Sequence, residues 1–289
     1  MFGLLNLDKP AGRSSRDAVN VVQRVVAPLK VGHAGTLDPL ATGVLVIGIG
    51  QATRLVEYVQ RMPKTYLATF LFGRTSDTED TQGTVTELAS RPVPDEGQIR
   101  AALPHFVGTI QQVPPAYSAL KVGGRRAYKM ARRGEAVELA AREVTIHAID
   151  LVSYAYPALM LRIGCGSGTY IRSLGRDLAR SLGTDAVMSA LRREAIGPFR
   201  AAEAISPEAL SLEAISTGLL PPLLALGEMP RVVVTAEEGK RLAHGQTIVH
   251  GGYATGEELA AIDDRGELLA ITAVQDGGVL RPVKYLGPQ

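Results

Sequence analysis

The sequence predicts an α+β fold in which a large domain of intermixed strands and helices precedes a small β-barrel. Three observations carry this expectation. Strand-like apolar runs and amphipathic helical stretches mix through residues 1–228 without a regular βαβ rhythm. Pro221-Pro222 and Gly227–Pro230 then give the best linker signal in the chain. Beyond it, Arg231–Thr235, Thr247–Val249, Leu259–Asp263, Leu268–Val274 and Val279–Val283 read as short strands split by Gly and Asp turns, the pattern of a compact barrel over 229–289.

Taken in order, Phe2–Leu7 reads as a strand closed by the Lys9-Pro10-Ala11-Gly12 turn. Ser14 or Ser15 can cap a helix whose Ala18, Val19, Val22, Val25 and Val26 share one face, stopped by Pro28. Residues 32–43 form a glycine-punctuated turn holding one acid, Asp38, and run into the apolar strand Val44–Ile49. Pro39 pushes Asp38 toward an extended backbone, and no other carboxylate occurs between Asp17 and Glu57. Residues 66–72 alternate as a strand, 74–96 are acidic and turn-rich, and a helix runs from about Asp95 to His105 with acids at its start. Val122-Gly123-Gly124 reads as a hairpin turn before a basic helix, Arg125 to Arg133, capped by Gly134. Arg142–Tyr154 and Leu159–Cys165 read as paired strands. Tyr170–Leu182 is a helix with Leu174, Leu178 and Leu182 on one face, closed by Gly183.

Composition narrows the function. Hydrophobic residues at 46% against 21% charged describe a chain that buries a core rather than a disordered one. The net charge is only +2, yet seven basic residues between Lys121 and Arg142 face two acidic ones, so the cationic surface is local and suits a polyanion. Cys165 is the only cysteine, which excludes an internal disulfide and a thiolate metal cluster. The five histidines lack metal-ligand spacing. No Gly-Lys-Ser/Thr triplet occurs, and Thr53 stands where a dinucleotide fingerprint beginning at Gly48 needs its third glycine. No cofactor is therefore expected. No signal peptide or run of 18 apolar residues is read, so the expected location is the cytoplasm.

Five motifs in order point to a family. They are Gly3-Leu4-Leu5-Asn6-Leu7-Asp8-Lys9-Pro10, the stretch Gly32–Gly43, Lys64-Thr65-Tyr66, Pro114-Pro115-Ala116-Tyr117-Ser118-Ala119-Leu120-Lys121, and Gly168-Thr169-Tyr170-Ile171-Arg172. Together they resemble the tRNA pseudouridine synthase B (TruB) family, bacterial type, strongly over residues 1–228. The resemblance implies a mixed, mostly antiparallel catalytic sheet with a cleft across its middle, and a terminal barrel of the PUA-like type. It implies isomerisation of uridine to pseudouridine at position 55 in the T-loop of tRNA, by a monomer without a protein partner, membrane, metal or cofactor. The residues it implies as catalytic are Asp38, as nucleophile or base, with Arg172 as its counter-charge and Tyr66. Substrate binding falls to His33, filling the place of an extruded nucleotide, to Tyr66 stacked on the base, and to Tyr170 and Leu191 lining the uridine pocket. An insertion at about 121–142 is expected to grip RNA phosphates through Arg125, Arg126, Lys129 and Arg132. Other readings of the same scaffold are a synthase for another RNA stem-loop, or a non-catalytic RNA-binding or RNA-folding module.

Overall fold

The computed structural model describes residues 1–118, 120–122, 124–131, 133, 135 and 139–287. The first strand, β1 (Gly3–Lys9), is buried almost throughout. Leu5 and Leu7 pack on α1 (Ser15–Val26), while Leu4 packs on the other side against Val44 and Val46. Burial on both faces explains its continuous apolar run. Ser14 caps α1, its hydroxyl accepting from Asp17 N while Asp17 accepts from the Ser14 backbone. β2 (Val31–His33) and β3 (Thr42–Ile49) pair antiparallel and hold the 34–41 loop between them. After α2 (Val56–Arg61), β4 (Lys64–Phe72) alternates strictly between buried and half-buried residues.

The acidic stretch holds a small hairpin, β5 (Arg74–Ser76) and β6 (Val85–Glu87). α3 (Glu96–Ala102), capped by Asp95 and Gln98, passes into a tighter turn at Leu103–Phe106 and then β7 (Gly108–Gln112). Among the described residues the expected basic helix is shorter than its charge pattern: Arg125 and Arg126 lie on β9 (Arg125–Arg126), paired with β8 (Lys121–Val122), and α4 spans Ala127–Ala131. Arg132 and the expected cap Gly134 lie outside the described residues. β10 (Arg142–Ala155) and β11 (Ala158–Cys165) form the expected antiparallel pair, and α5 (Ile171–Ser181) follows. Then come β12 (Ala186–Ile196), β13 (Phe199–Arg200) and α6 (Leu212–Thr217).

These strands build one nine-stranded sheet in the order β1-β3-β12-β4-β11-β10-β7, with β2 on β3 and β13 on β12. Its described pairings are antiparallel except β3 with β12. β12 lies inside the sheet between β3 and β4, yet no strand is expected there from sequence. Ser189, Arg192, Arg193 and Glu194 make the stretch read as polar, and the inward position between Leu191 and Ala195 is taken by Arg193 itself. Gly43 is required where β3 meets β12. Its φ is +99°, and a Cβ there would stand 2.2 Å from the Arg193 carbonyl oxygen.

The terminal residues form a second sheet, β14 (Arg231–Val233), β15 (Ile248–Val249), β16 (Glu258–Ile262), β17 (Leu268–Gln275) and β18 (Val279–Tyr285), in the order β14-β16-β17-β18-β15. α7 (Ala236–Ala243), capped by Thr235 with Glu238, is an element the strand pattern did not anticipate. This sheet shares a core with the larger one: Ala260, Ile262, Leu268 and Ile271 pack in the same cluster as Leu55, Val59, Ala225 and Leu226. Lys284 joins the contact, donating to Arg54 O at 2.9 Å, pairing with Glu57 and lying 4.7 Å from the Tyr58 ring centre.

Candidate active site

The 34–41 loop is held from three sides. Ser15 at the start of α1 is buried, and its hydroxyl both accepts from Leu37 N at 2.8 Å and donates to Leu37 O at 3.2 Å. Lys9 at the end of β1 directs its ammonium to the carbonyls of Pro10, Arg13 and Pro39. Arg193 on β12 donates to Gly35 O at 3.2 Å and Thr36 O at 3.5 Å. Leu37 and Ala41 enter the core under the loop. A turn anchored this way presents Asp38 in one orientation, which is what preorganised chemistry requires.

Asp38 meets Arg172, 134 positions away, at the first turn of α5. The guanidinium grips the carboxylate with two prongs, Nε to Oδ2 at 2.9 Å and Nη2 to Oδ1 at 3.2 Å. Arg172 is 6% exposed and spends its other donors on Thr78 O at 2.7 Å and Tyr117 O at 3.0 Å. α5 can approach this closely because Gly175 faces Phe70, where a Cβ would clash with the ring at 2.1 Å.

The sequence reading missed a second acid. Asp80, 4% exposed, lies in the loop between β5 and β6, its Oδ2 3.8 Å from Arg172 Nη1. Its Oδ1 accepts from Thr78 Oγ1 at 2.6 Å and from Gln82 N at 3.0 Å. The loop is tied to α5 by Glu79, which pairs with Arg176 and accepts from Ser173 Oγ at 2.9 Å. One signal could have found Asp80: its stretch is the most turn-rich acidic segment, and conserving such a loop's geometry needs side-chain bonds back to its own backbone. Burial pushes the Asp38 carboxyl above its ordinary value, Arg172 opposes that, and Asp80 adds to it.

Two cavities meet at Asp38. An open cleft of about 960 Å³ is lined by Ser14, Arg16, His33, Asp77, Gln82 and Tyr128 among others. A smaller pocket of about 380 Å³ is walled by Tyr66, Tyr170, Ile171 and Leu191, together with Lys64 and Arg193. The structure thus brings together Asp38, Tyr66, Arg172, His33, Tyr170 and Leu191. Tyr66 lies on β4 with its ring 8% exposed, and burial pushes its phenol up while Arg193 beside it opposes the shift. Gln112, fully buried, fixes Tyr170 by accepting from its N at 2.8 Å and donating to its O at 3.1 Å. His33 ends a strand rather than sitting in a free loop. It is half-buried, and burial with Arg16 and Arg193 nearby holds the ring below its ordinary pKa, hence neutral at pH 7.

Of the expected RNA-gripping residues, Arg125 does not line either cavity. Arg125 is exposed and pairs with Glu135 at 2.7 Å. Arg126 and Lys129 belong to described elements but their side chains do not, and Arg132 lies outside the described residues. Among the described residues, no helix is long and apolar enough to cross a membrane.

The family model for the TruB family pseudouridylate synthase (N terminal domain) matches residues 23–171. The tRNA pseudouridine synthase B of Xanthomonas campestris pv. campestris (strain B100) is 43% identical over 289 residues, covering 98% of this chain and 93% of that protein. The protein of the same name from Arthrobacter sp. (strain FB24) is 41% identical over 301 residues, covering 100% and 97%. Among solved structures, a chain of the Cbf5-Nop10-Gar1 complex superposes with a TM-score of 0.77 at 25% identity, over 99% of this chain and 85% of that one. With 43% identity across almost its whole length and the motif-bearing loop folded around Asp38, the chain belongs to the TruB family of pseudouridylate synthases.

Proposed function

We propose that this chain converts uridine to pseudouridine at position 55, in the T-loop of tRNA, with Asp38 as the essential carboxylate. The observation that carries the reading is the two-pronged Arg172 grip, which holds Asp38 on the wall of a pocket with room for a nucleoside. The reaction breaks the N1–C1′ bond, turns the uracil and rejoins it through C5, so substrate and product are isomers. Asp38 can add to C6, attack C1′ or take the C2′ proton. The target nucleotide leaves its stack to enter the pocket, His33 fills its place as a neutral ring, and Tyr66, Tyr170 and Leu191 enclose the base. The cleft outside takes the rest of the RNA loop, with the basic insertion at about 121–142 on its phosphates.

In the same reading, 1–228 is the catalytic domain and 229–289 a PUA-like module. The five-stranded terminal sheet and the proline-glycine boundary support this division. The enzyme works in the cytoplasm as a monomer. The decisive experiment incubates unmodified tRNA with the pure protein alone and maps pseudouridine by mass spectrometry, which tells the isomers apart because pseudouridine's carbon–carbon glycosidic bond resists the cleavage that uridine's carbon–nitrogen bond undergoes. Product in the T-loop supports the reading. Product only in another stem-loop reassigns the substrate, and none with any RNA leaves an RNA-binding module.

Two variants probe the site. Asp80→Asn keeps size and removes one negative charge beside Asp38. Because Asp80 raises the Asp38 pKa, the acid limb of the pH–rate profile should move to lower pH. A limb that stays in place or moves up refutes the coupling. Tyr66→Phe keeps the stacking face and loses the hydroxyl, and its single-turnover rate should fall about 10²-fold if the phenol relays the C5 proton. An undiminished rate restricts Tyr66 to packing.

A further inference from the structure

The reaction set out above gives no chemical part to two buried cations, Lys64 and the loop anchor Arg193. Lys64 at the start of β4 is 8% exposed, and its ammonium donates to Met62 O at 2.6 Å and to Gln60 O. An ammonium has three protons, and the third has no partner among the described residues. Arg193 is 1% exposed and donates to Val44 O at 2.8 Å as well as to Gly35 O and Thr36 O. Neither forms an ion pair with a carboxylate among the described residues. The nearby thiol of Cys165 is pushed up to about 11 by burial and stays neutral. Asp38 is gripped by Arg172 instead.

Buried charges are ordinarily paired, because desolvating an unpaired one is costly. Here two line the same 380 Å³ pocket, and the Arg193 charge lowers the tendency of Lys64 to hold its own. Burial brings Lys64 down to about 8, so it remains mainly protonated at neutral pH. An arrangement this expensive to fold fits a base that becomes anionic, because a cationic donor binds a developing anion far more strongly than the carbonyls of a neutral pyrimidine.

Resting on the function proposed above, we infer that Lys64, backed by Arg193, stabilises a uracil anion formed when the glycosidic bond breaks. If Asp38 attacks C1′, its oxygen forms the new bond. If the C2′ proton is taken instead, a C1′–C2′ double bond forms. In both cases the electron pair of the N1–C1′ bond departs with the base, spread over N1, O2 and O4. After the base turns, C5 uses that pair to bond C1′, and either the carboxylate leaves or C2′ regains its proton. The C5 proton is then lost and N1 gains one, which closes the balance. The two cations favour the departing anionic base over the neutral substrate, so their contribution appears in rate rather than in binding.

The test compares Lys64→Met, Lys64→Gln and Lys64→Arg on tRNA carrying uridine or 5-fluorouridine at the target, in single turnovers. Gln keeps a donor for the Gln60 and Met62 carbonyls without the charge, and serves where Met unfolds the chain. Both neutral variants should bind tRNA as the wild type does and react about 10²–10³-fold more slowly, as when one preorganised donor to a developing anion is removed. Arg should recover part of the rate. Fluorine at C5 makes the base anion more stable by itself, so the defect of the neutral variants, read as loss of the original nucleoside, should shrink on that substrate. Neutral variants reacting at the wild-type rate, or slowed equally on both bases, would overturn the inference. A wild-type protein making no pseudouridine would instead overturn the function on which it rests.

Discussion

Asp38→Asn should fold, bind tRNA with roughly wild-type affinity, and lose turnover by about 10⁴-fold, the upper end of what one positioned acid–base group supplies. Asn fills the same space on a loop whose anchors, Ser15, Lys9 and Arg193, all bond to backbone atoms rather than to the Asp38 side chain. What disappears is the anionic oxygen. The substitution has a second, separable consequence. Burial lifts the folded-state pKa of Asp38 above the ordinary 3.8, so over the interval between the two values the folded chain keeps a proton the unfolded chain has released. Stability therefore falls as pH rises through that interval and stays lower above it. Asn mimics the protonated acid, so Asp38→Asn should melt with the wild type at acid pH and above it at neutral pH. Filter binding, single turnover and thermal melting on one preparation check all three expectations. Substantial residual turnover would make Asp38 a turn residue, and a neutral-pH melt below wild type would refute the burial argument.

Arg172→Lys should slow turnover by about 10–10²-fold, corresponding to one charge-assisted hydrogen bond of about 1.5–3 kcal/mol, and leave tRNA affinity within a few-fold. The charge survives, but an ammonium cannot reproduce a planar fork that spans both Asp38 oxygens while reaching Thr78 O and Tyr117 O. A carbonyl left without a donor in this buried position costs about 1–3 kcal/mol, so the variant should also be less stable than Asp38→Asn. The readout is single-turnover rate against binding, with denaturant unfolding alongside. A normal rate would mean the geometry of the grip is irrelevant to Asp38, while equal losses of rate and affinity would place Arg172 in RNA binding instead.

The site was legible to unequal depths. The Gly32–Gly43 stretch announces a constrained turn with one acid, and the elements around it follow from caps and periodicity: Ser14 and Asp95 begin their helices where the rules put them. Where charge and pattern conflicted, the sequence misled. The Arg-rich stretch before Gly134 promised a basic helix, yet Arg125 and Arg126 are in a hairpin and Arg125 is neutralised by Glu135. β12 was invisible because polar residues hide an alternation whose inward member is an arginine.

What the sequence by itself determined is which residue types could act and the local backbone that presents them, since capping, turn chemistry and hydrophobic period operate over a few neighbouring residues. Tertiary structure alone decided their partnerships. Asp38 meets Arg172 across 134 positions, Asp80 enters from a loop that sequence marked only as acidic, and Arg193 reaches the loop carbonyls because β3 and β12 run parallel at Gly43. The physical reason is that sheet register sets distances between remote residues and burial sets the value of each charge, so neither the grip on Asp38 nor its raised pKa exists until the chain has closed around it.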